Sequence, residues 1–333
     1  MIRVRLIDCA VVCLLLILSL ITLVLSYEYW KADPVQIKNY LLLVLGLISY
    51  LFVKSIIKEL NNTEICTIIN YIIIFHFSVL LLQLIIFYSI KYDLNIGLFF
   101  GGEGHRAFAT GGVYRPTGIF DEPAIYSMFC SGLILMRLLY NRHFDWIILL
   151  GFLSIFLTLS FVGFILAGFM LLAYSSLKIK IIFAGIIIFV LIVLYSPLFS
   201  DNYIINRIDL LFSGSDSSTN KKLSVISDWL ESQELFNFGY GYIGLRDWTP
   251  NYYEAVYDLT FYITLFTQFG FYFGVFYMIW FISAIFFSDR SIADISAFLI
   301  LLVKLTATHF PFLWVVFAFF FNKNNLNYKL SDK

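Results

Sequence analysis

Between two long apolar runs the chain carries Arg115-Pro-Thr-Gly-Ile-Phe-Asp-Glu-Pro123, in which several residue types suit chemistry. An arginine fork binds phosphate through charge-assisted hydrogen bonds worth roughly 1.5–3 kcal/mol each. Pro116 and Gly118 restrain the backbone beside Arg115. Pro123 suits the first position of a helix, which sets Asp121 and Glu122 at that helix's N-terminus, where they can orient a cation or exchange protons. Upstream, the glycine-rich stretch 101–112 adds His105 and Arg106 as supporting candidates and reads as a flexible gate. A second polar stretch, 199–258, holds Arg207, Lys221, Lys222 and Arg246, a cation set suited to a phosphate or pyrophosphate. It also holds Tyr240, Tyr242, Tyr252, Tyr253 and Tyr257, whose rings either stack on sugar faces or anchor at a membrane interface.

Three further groups stand next to apolar runs. Asp258 precedes Leu259-Thr260-Phe261, as a helix cap or as a general base. Lys304 lies within a run, where an ionisable residue is a functional candidate by default, and His309 follows it beside Pro311. Gly239-x-Gly241-x-x-Gly244 has the letters of a dinucleotide fingerprint but follows an amphipathic helix, not a strand. It reads instead as a turn that lets backbone approach a sugar. No Ser–His–Asp spacing, phosphate-binding Walker loop or metal-ligand cluster is present, so neither a metal nor a cofactor is expected.

The elements that must position these groups are membrane helices. The chain has 333 residues, 61% hydrophobic and 13% charged, against about a quarter charged in soluble domains. Mean hydropathy is +0.87. Apolar runs near 20 residues recur throughout, the signature of membrane-crossing helices. The reading is an all-α polytopic membrane protein, residues 1–333 forming one integral membrane domain. Spans are expected near 6–26, 38–57, 65–90, 123–140, 145–159, 161–177, 180–198, 259–283, 292–306 and 309–322. A single helix over 145–177 would be about 50 Å long, too long for a core of about 30 Å, so a break is expected near Ser160-Phe161-Val162-Gly163. The last two spans are short and hinge near His309-Phe310-Pro311. Cys9, Cys13, Cys66 and Cys130 all fall in apolar runs and read as buried structural thiols, without disulfide or zinc spacing. The run after Arg3 and Arg5 ends without a small-x-small cleavage site and reads as an uncleaved first span.

Charge bias gives the orientation. Lys54, Lys58, Arg137, Arg142, Lys178, Lys180, Arg290 and the tail lysines fall in short segments that alternate with longer ones, which suits a cytoplasmic side for both termini. About ten spans then leave two long loops, 91–122 and 199–258, on the outer face. Within the second, Leu223, Ile226, Trp229 and Leu230 recur at helical spacing behind Ser217-Ser218-Thr219, which predicts an amphipathic helix over about 220–236, flat on the outer surface. A zero net charge gives no reason to expect nucleic acid.

The block Arg115-x-x-Gly-x-Phe-x-Glu-Pro123, with its late loop ending in Gly239-x-Gly241 and the aromatic-rich Gly270–Gly274 segment, resembles the Wzy-type O-antigen polymerases, relatives of the O-antigen ligases. Leu157-Thr-Leu-Ser160 is similar to that family's Leu-Thr-x-Ser-Arg, with Phe161 where the family has Arg. Lys221 and Lys222 stand where it often has Arg, and Asp258-Leu259 stands near the ligases' His-Asn. The resemblance implies a bacterial inner-membrane glycosyltransferase for surface-polysaccharide and lipopolysaccharide synthesis. It would join undecaprenyl-pyrophosphate-linked oligosaccharide units at the periplasmic face, with membrane lipid, a chain-length regulator and a flippase as partners. Inversion of the anomeric centre is also implied. Arg115, Arg207, Lys221, Lys222, Arg246, Tyr240 and Tyr242 would bind substrate, and Asp258, Glu122 or His309 would take the proton. A ligase acting on lipid A–core is the first alternative. A transporter is the second, disfavoured because no internal repeat is visible and polarity collects at one face.

Overall fold

A computed structural model of the chain describes residues 6–29, 34–100, 107–108, 114–175, 181, 217–243, 250 and 252–322. The described apolar runs all fold as helices: α1 (Leu6–Tyr29), α2 (Pro34–Glu59), α3 (Asn62–Ile90), α4 (Pro123–Tyr140), α5 (Trp146–Leu157) and α6 (Phe161–Tyr174). The second half adds α7 (Ser217–Glu231), α8 (Gln233–Phe238), α9 (Phe261–Phe286), α10 (Ile292–Leu301) and α11 (Pro311–Phe320). The β structure among the described residues is one isolated bridge, Phe108 with Tyr114. Among the described residues five helices (α1 over Asp8–Leu25, α2, α3, α4 and α9) are long and apolar enough to cross a membrane, while α5, α6, α10 and α11 are shorter and apolar. The span expected over 180–198 lies, apart from Ile181, outside the described residues.

Local chemistry sets the helix ends. Asn61 and Glu64 form a reciprocal capping box that starts α3, and Ser291 with Asp294 does the same for α10. Pro123 and Pro311 start α4 and α11, where a missing N–H is harmless. Asp145 caps α5 and Ser160 caps α6. The expected break is therefore a turn over Thr158–Ser160, with Leu159 in the left-handed region at φ 50°.

α4 is the hub, buried on nearly all sides, whereas α1 to α3 and α9 expose Ile17, Leu41, Phe75 and Ile279 along their outer surfaces. Apolar side chains facing outward along a long helix suit lipid rather than water. Cys13 is one of these exposed positions and Cys9 is half-buried, so only Cys66 and Cys130 are buried thiols as expected.

The short helices pair into two hairpins. α5 starts where Asp145 meets Arg137 near the α4 C-terminus, and α6 ends where Tyr174 meets Asp294 beside Arg142. Their shared turn reaches the opposite end, where the Thr158 hydroxyl meets that of Ser127 at 3.0 Å, close to the α4 N-terminus. α10 and α11 behave alike. Arg290, just before α10, donates to the carbonyls of Phe319, Phe320 and Asn322 at the end of α11. The connection over 302–310 points the other way, to the region of Tyr242 and Asp258. With 12, 14, 10 and 10 residues, α5, α6, α10 and α11 span about 15–21 Å against a membrane core of about 30 Å, so none of these arms crosses it as helix alone.

Cations and acids pair at the end where α4 finishes. Asp294 is fully buried and accepts from Arg142 at 2.6 Å, Tyr174 at 2.7 Å and the Ser291 hydroxyl at 2.8 Å. Lys54 bridges Asp8 at 2.8 Å, and Arg137 pairs with Asp145 and Asn70. Lys54, Arg137, Arg142 and Arg290, which charge bias assigned to one side, thus share one end of the bundle.

A second, smaller core covers the opposite end. Val225, Trp229, Leu235, Tyr240, Ile243, Ala255, Val256 and Leu259 pack together there, against Ile263 and Phe266 of α9. The amphipathic helix exists, as α7 and α8 broken at Ser232, whose side chain caps α8. Its buried face differs from expectation. Val225 and Trp229 are buried and Ile226 partly so, but Leu223 and Leu230 point outward, because the helix packs on this core along only a narrow stripe.

α9 is interrupted at Gly270, which takes φ 77°. The break frees the carbonyls of Thr267 and Gln268, and the loop after α8 fills it. Tyr240 N–H donates to Thr267 O at 2.7 Å and Gly241 N–H to Gln268 O at 2.9 Å. Buried carbonyls need such partners, so the Gly239-x-Gly241 turn is the plug of a broken helix.

Candidate functional site

The 115–123 segment is fixed from behind by a residue that motif reading missed. Gln83 of α3 is fully buried, and its Oε1 accepts from the N–H groups of Thr117 at 3.1 Å and Gly118 at 2.8 Å. Its Nε2 donates to Gly118 O and Leu94 O, both at 2.9 Å. All four hydrogen-bonding positions of the amide are thus used. Gly118 has φ 64°, and a Cβ there would lie 2.6 Å from the Tyr126 ring, so glycine is required twice over. Tyr114 stacks on Phe87 at 3.9 Å, and Arg115 N–H donates to Ala107 O at 2.6 Å. Arg115 is half-buried on this rigid loop. Glu122 is the N-cap residue of α4 but makes no side-chain capping bond, and its carbonyl accepts from Tyr126 N–H. The only sequence signal for Gln83 was a lone amide inside the apolar run Leu80–Ile86.

Asp258 collects two cations from distant parts of the chain. Its Oδ2 takes Lys222 of α7 at 2.8 Å, and its Oδ1 takes Lys304 from the α10–α11 connection. The Lys304 side chain is 17% exposed, while those of Lys222 and Asp258 are 34% and 36% exposed. Burial alone would raise the Asp258 carboxyl, but Lys304 and Lys222 outweigh it and hold the group below its ordinary 3.8. Asp258 is therefore an anion with both oxygens engaged. It is no side-chain cap for α9: the N-cap is Thr260, without a side-chain bond.

Beside this cluster runs a buried polar chain. Thr308 Oγ1 donates to Gln268 Oε1 at 2.7 Å, so the Tyr242 hydroxyl, 3.0 Å away, must donate to Thr308. Trp314 Nε1 donates to Thr308 O at 2.7 Å, and Thr306 Oγ1 to Tyr257 O at 2.9 Å. His309 stands edge-on to Tyr242 and Tyr257, with ring centroids 5.4 and 5.2 Å away, and its Nδ1 is buried with no hydrogen-bond partner among the described residues.

The remaining candidates divide. Tyr240 and Tyr242 are fully buried, with Tyr240 bonded to Val225 O at 3.2 Å, so neither ring offers a face to a sugar in this arrangement. They became core because the loop that carries them fills the α9 break. Tyr252 bonds Asp228 and Tyr257 bonds Ile243 O. Lys221 is exposed on α7. His105, Arg106, Arg207 and Arg246 lie outside the described residues. No group of His, Cys, Asp and Glu suited to a metal occurs among the described residues.

Among the described residues the chain is thus all-helical, with five helices whose length and apolarity suit membrane crossing and polar clusters at the two ends of the bundle. Comparison with known proteins adds no family: no family model matches the chain, and no curated protein or solved structure matches it.

Proposed function

We propose that the protein is a membrane glycosyltransferase that polymerises lipid-linked oligosaccharide repeat units, with the site at the outer, periplasmic face of a bacterial inner membrane. In this reading the ten expected spans are the five long helices, the segment 180–198 and the four short arms, which enter the membrane as two hairpins, and both termini are cytoplasmic. The observation that carries it is the gathering of Lys222, Asp258 and Lys304 where the covering helices meet a helical hairpin. Charged side chains at a helix mouth suit a substrate whose polar head stays tethered to the membrane. The Gln83-braced Arg115 loop, which leads directly into α4, supports the same reading.

In the proposed reaction an acceptor sugar hydroxyl forms a bond to the anomeric carbon of the donor. The bond from that carbon to the lipid diphosphate breaks, and its electron pair leaves on the diphosphate. Arg115 and the lysines stabilise the developing charge, with Arg207, Lys221 and Arg246 as further candidates. The hydroxyl proton passes to Asp258, with Glu122 and His309 as the other acceptors to test.

Deletion of the gene in its host, with glycolipids resolved on a gel, tests this. Loss of the long ladder with a single unit retained is expected. Loss of every unit with accumulation of lipid-linked polymer would mark a ligase, and absence of outward-facing precursor a flippase.

A further inference from the structure

We propose that Lys222 and Lys304 form a diphosphate site that is held at rest by an internal counter-anion, the carboxylate of Asp258, which the incoming ligand displaces. This deepens the glycan-polymerase reading and rests on it for the identity of the natural ligand. The anion site itself rests on geometry. The three side chains come from α7, from the turn before α9 and from the α10–α11 connection, so no local pattern forces them together. Lys304 is mostly buried, and a buried ammonium needs an anion. Among the described residues Asp258 supplies one negative charge to two positive ones, and the remaining positive charge favours a second anion. A diphosphate carries more charge than a carboxylate and can span both ammonium groups.

Displacement has a chemical consequence. While paired, Asp258 binds protons poorly. Once released beside a bound diphosphate it faces negative charge in a half-buried setting, and both raise its proton affinity. Ligand binding thus precedes and enables proton acceptance by Asp258. The same contacts tie the covering helix to the hairpin, so occupancy of the site and closure of its roof are coupled.

The test uses the purified full-length protein in nanodiscs of neutral lipid, with inorganic pyrophosphate and farnesyl diphosphate as probes. Asp258→Asn should tighten binding of both probes roughly tenfold, because competition is removed, and Lys304→Gln should weaken it by a similar factor. Unchanged or weaker binding in Asp258→Asn overturns the proposal. Should that variant fail to fold, the unmodified protein still decides. Either probe should protect both Lys222 and Lys304 from amine acylation, read by mass spectrometry. Absence of that protection, or equal protection by phosphatidylglycerol nanodiscs without any diphosphate, overturns it. A glycan ladder that survives gene deletion would sink the polymerase reading without touching this binding result.

Discussion

Gly239 and Gly270 meet so closely that neither can carry a side chain. A Cβ on Gly239 would fall closer than 3.0 Å to Gly270 N and Gln268 O, and one on Gly270 equally close to Asn237 O. Both glycines also have positive φ, 75° and 77°. Gly270→Ala should destabilise the protein by about 2–4 kcal/mol, combining left-handed strain with overpacking. Thermal unfolding in detergent checks this, and an unchanged midpoint would remove the plug from the account.

Gln83→Leu keeps the side-chain volume but strands two N–H groups and two carbonyls. A loss of about 2–4 kcal/mol is expected, given the cost of unsatisfied buried groups. Limited proteolysis should show cutting within 114–122 before the rest of the bundle opens. Gln83→Glu, protonated in this buried setting, keeps the acceptor and one donor, so its effect should be intermediate.

Arg115→Ala should abolish the glycan ladder while the protein inserts at its normal level. A normal ladder from this variant, with expression matched by immunoblot, would exclude a phosphate-binding role for Arg115.

Acid should loosen the roof of the site. Because the folded Asp258 carboxyl titrates below 3.8, its ion pairs stabilise the fold above that pH, and the contribution is lost as pH falls through the lower folded value. Protection factors of the α7 amides, corrected for the intrinsic pH dependence of exchange, should therefore stay constant from neutral pH to about 5 and fall below the unfolded value. Asp258→Asn should show no such dependence at these amides. Since the group is more than a third exposed, solvent screening keeps the effect small.

At the other end, Asp294→Asn should cost about 3 kcal/mol, because Arg142 and Tyr174 both lose a buried anion. Combining it with Tyr174→Phe should cost less than the sum of the two single changes, measured as unfolding midpoints.

Local signals were the legible part of the sequence. Apolar runs located the long helices, Pro123 marked a helix start, the hinge expected near Pro311 became the start of α11, and Ser160 marked the break between α5 and α6, since each of these effects acts within a few residues. Glycines 239 and 241 correctly signalled a close approach of backbone, but the approaching group is the interrupted α9. Pairings across the chain were not legible. Lys304 and Asp258 are separated by 46 positions, and Gln83 and Gly118 by 35. Nothing in composition or periodicity couples such residues. Tyr240 and Tyr242 illustrate the same limit: an aromatic ring beside glycine looks like a stacking platform until the packing around it is known.

The two hairpins carry a consequence for sidedness. Each leaves and rejoins the same end of the bundle, so each adds an even number of passages, whatever depth its tip attains. Ser175 therefore shares an end with Asn141, and Asn322 shares an end with Asp289. The parity of the threading is carried by the five long helices together with the span expected over 180–198. A reporter fused after either hairpin would give the same answer as one fused before it, and lengthening the α10–α11 tip would alter the site without inverting anything that follows.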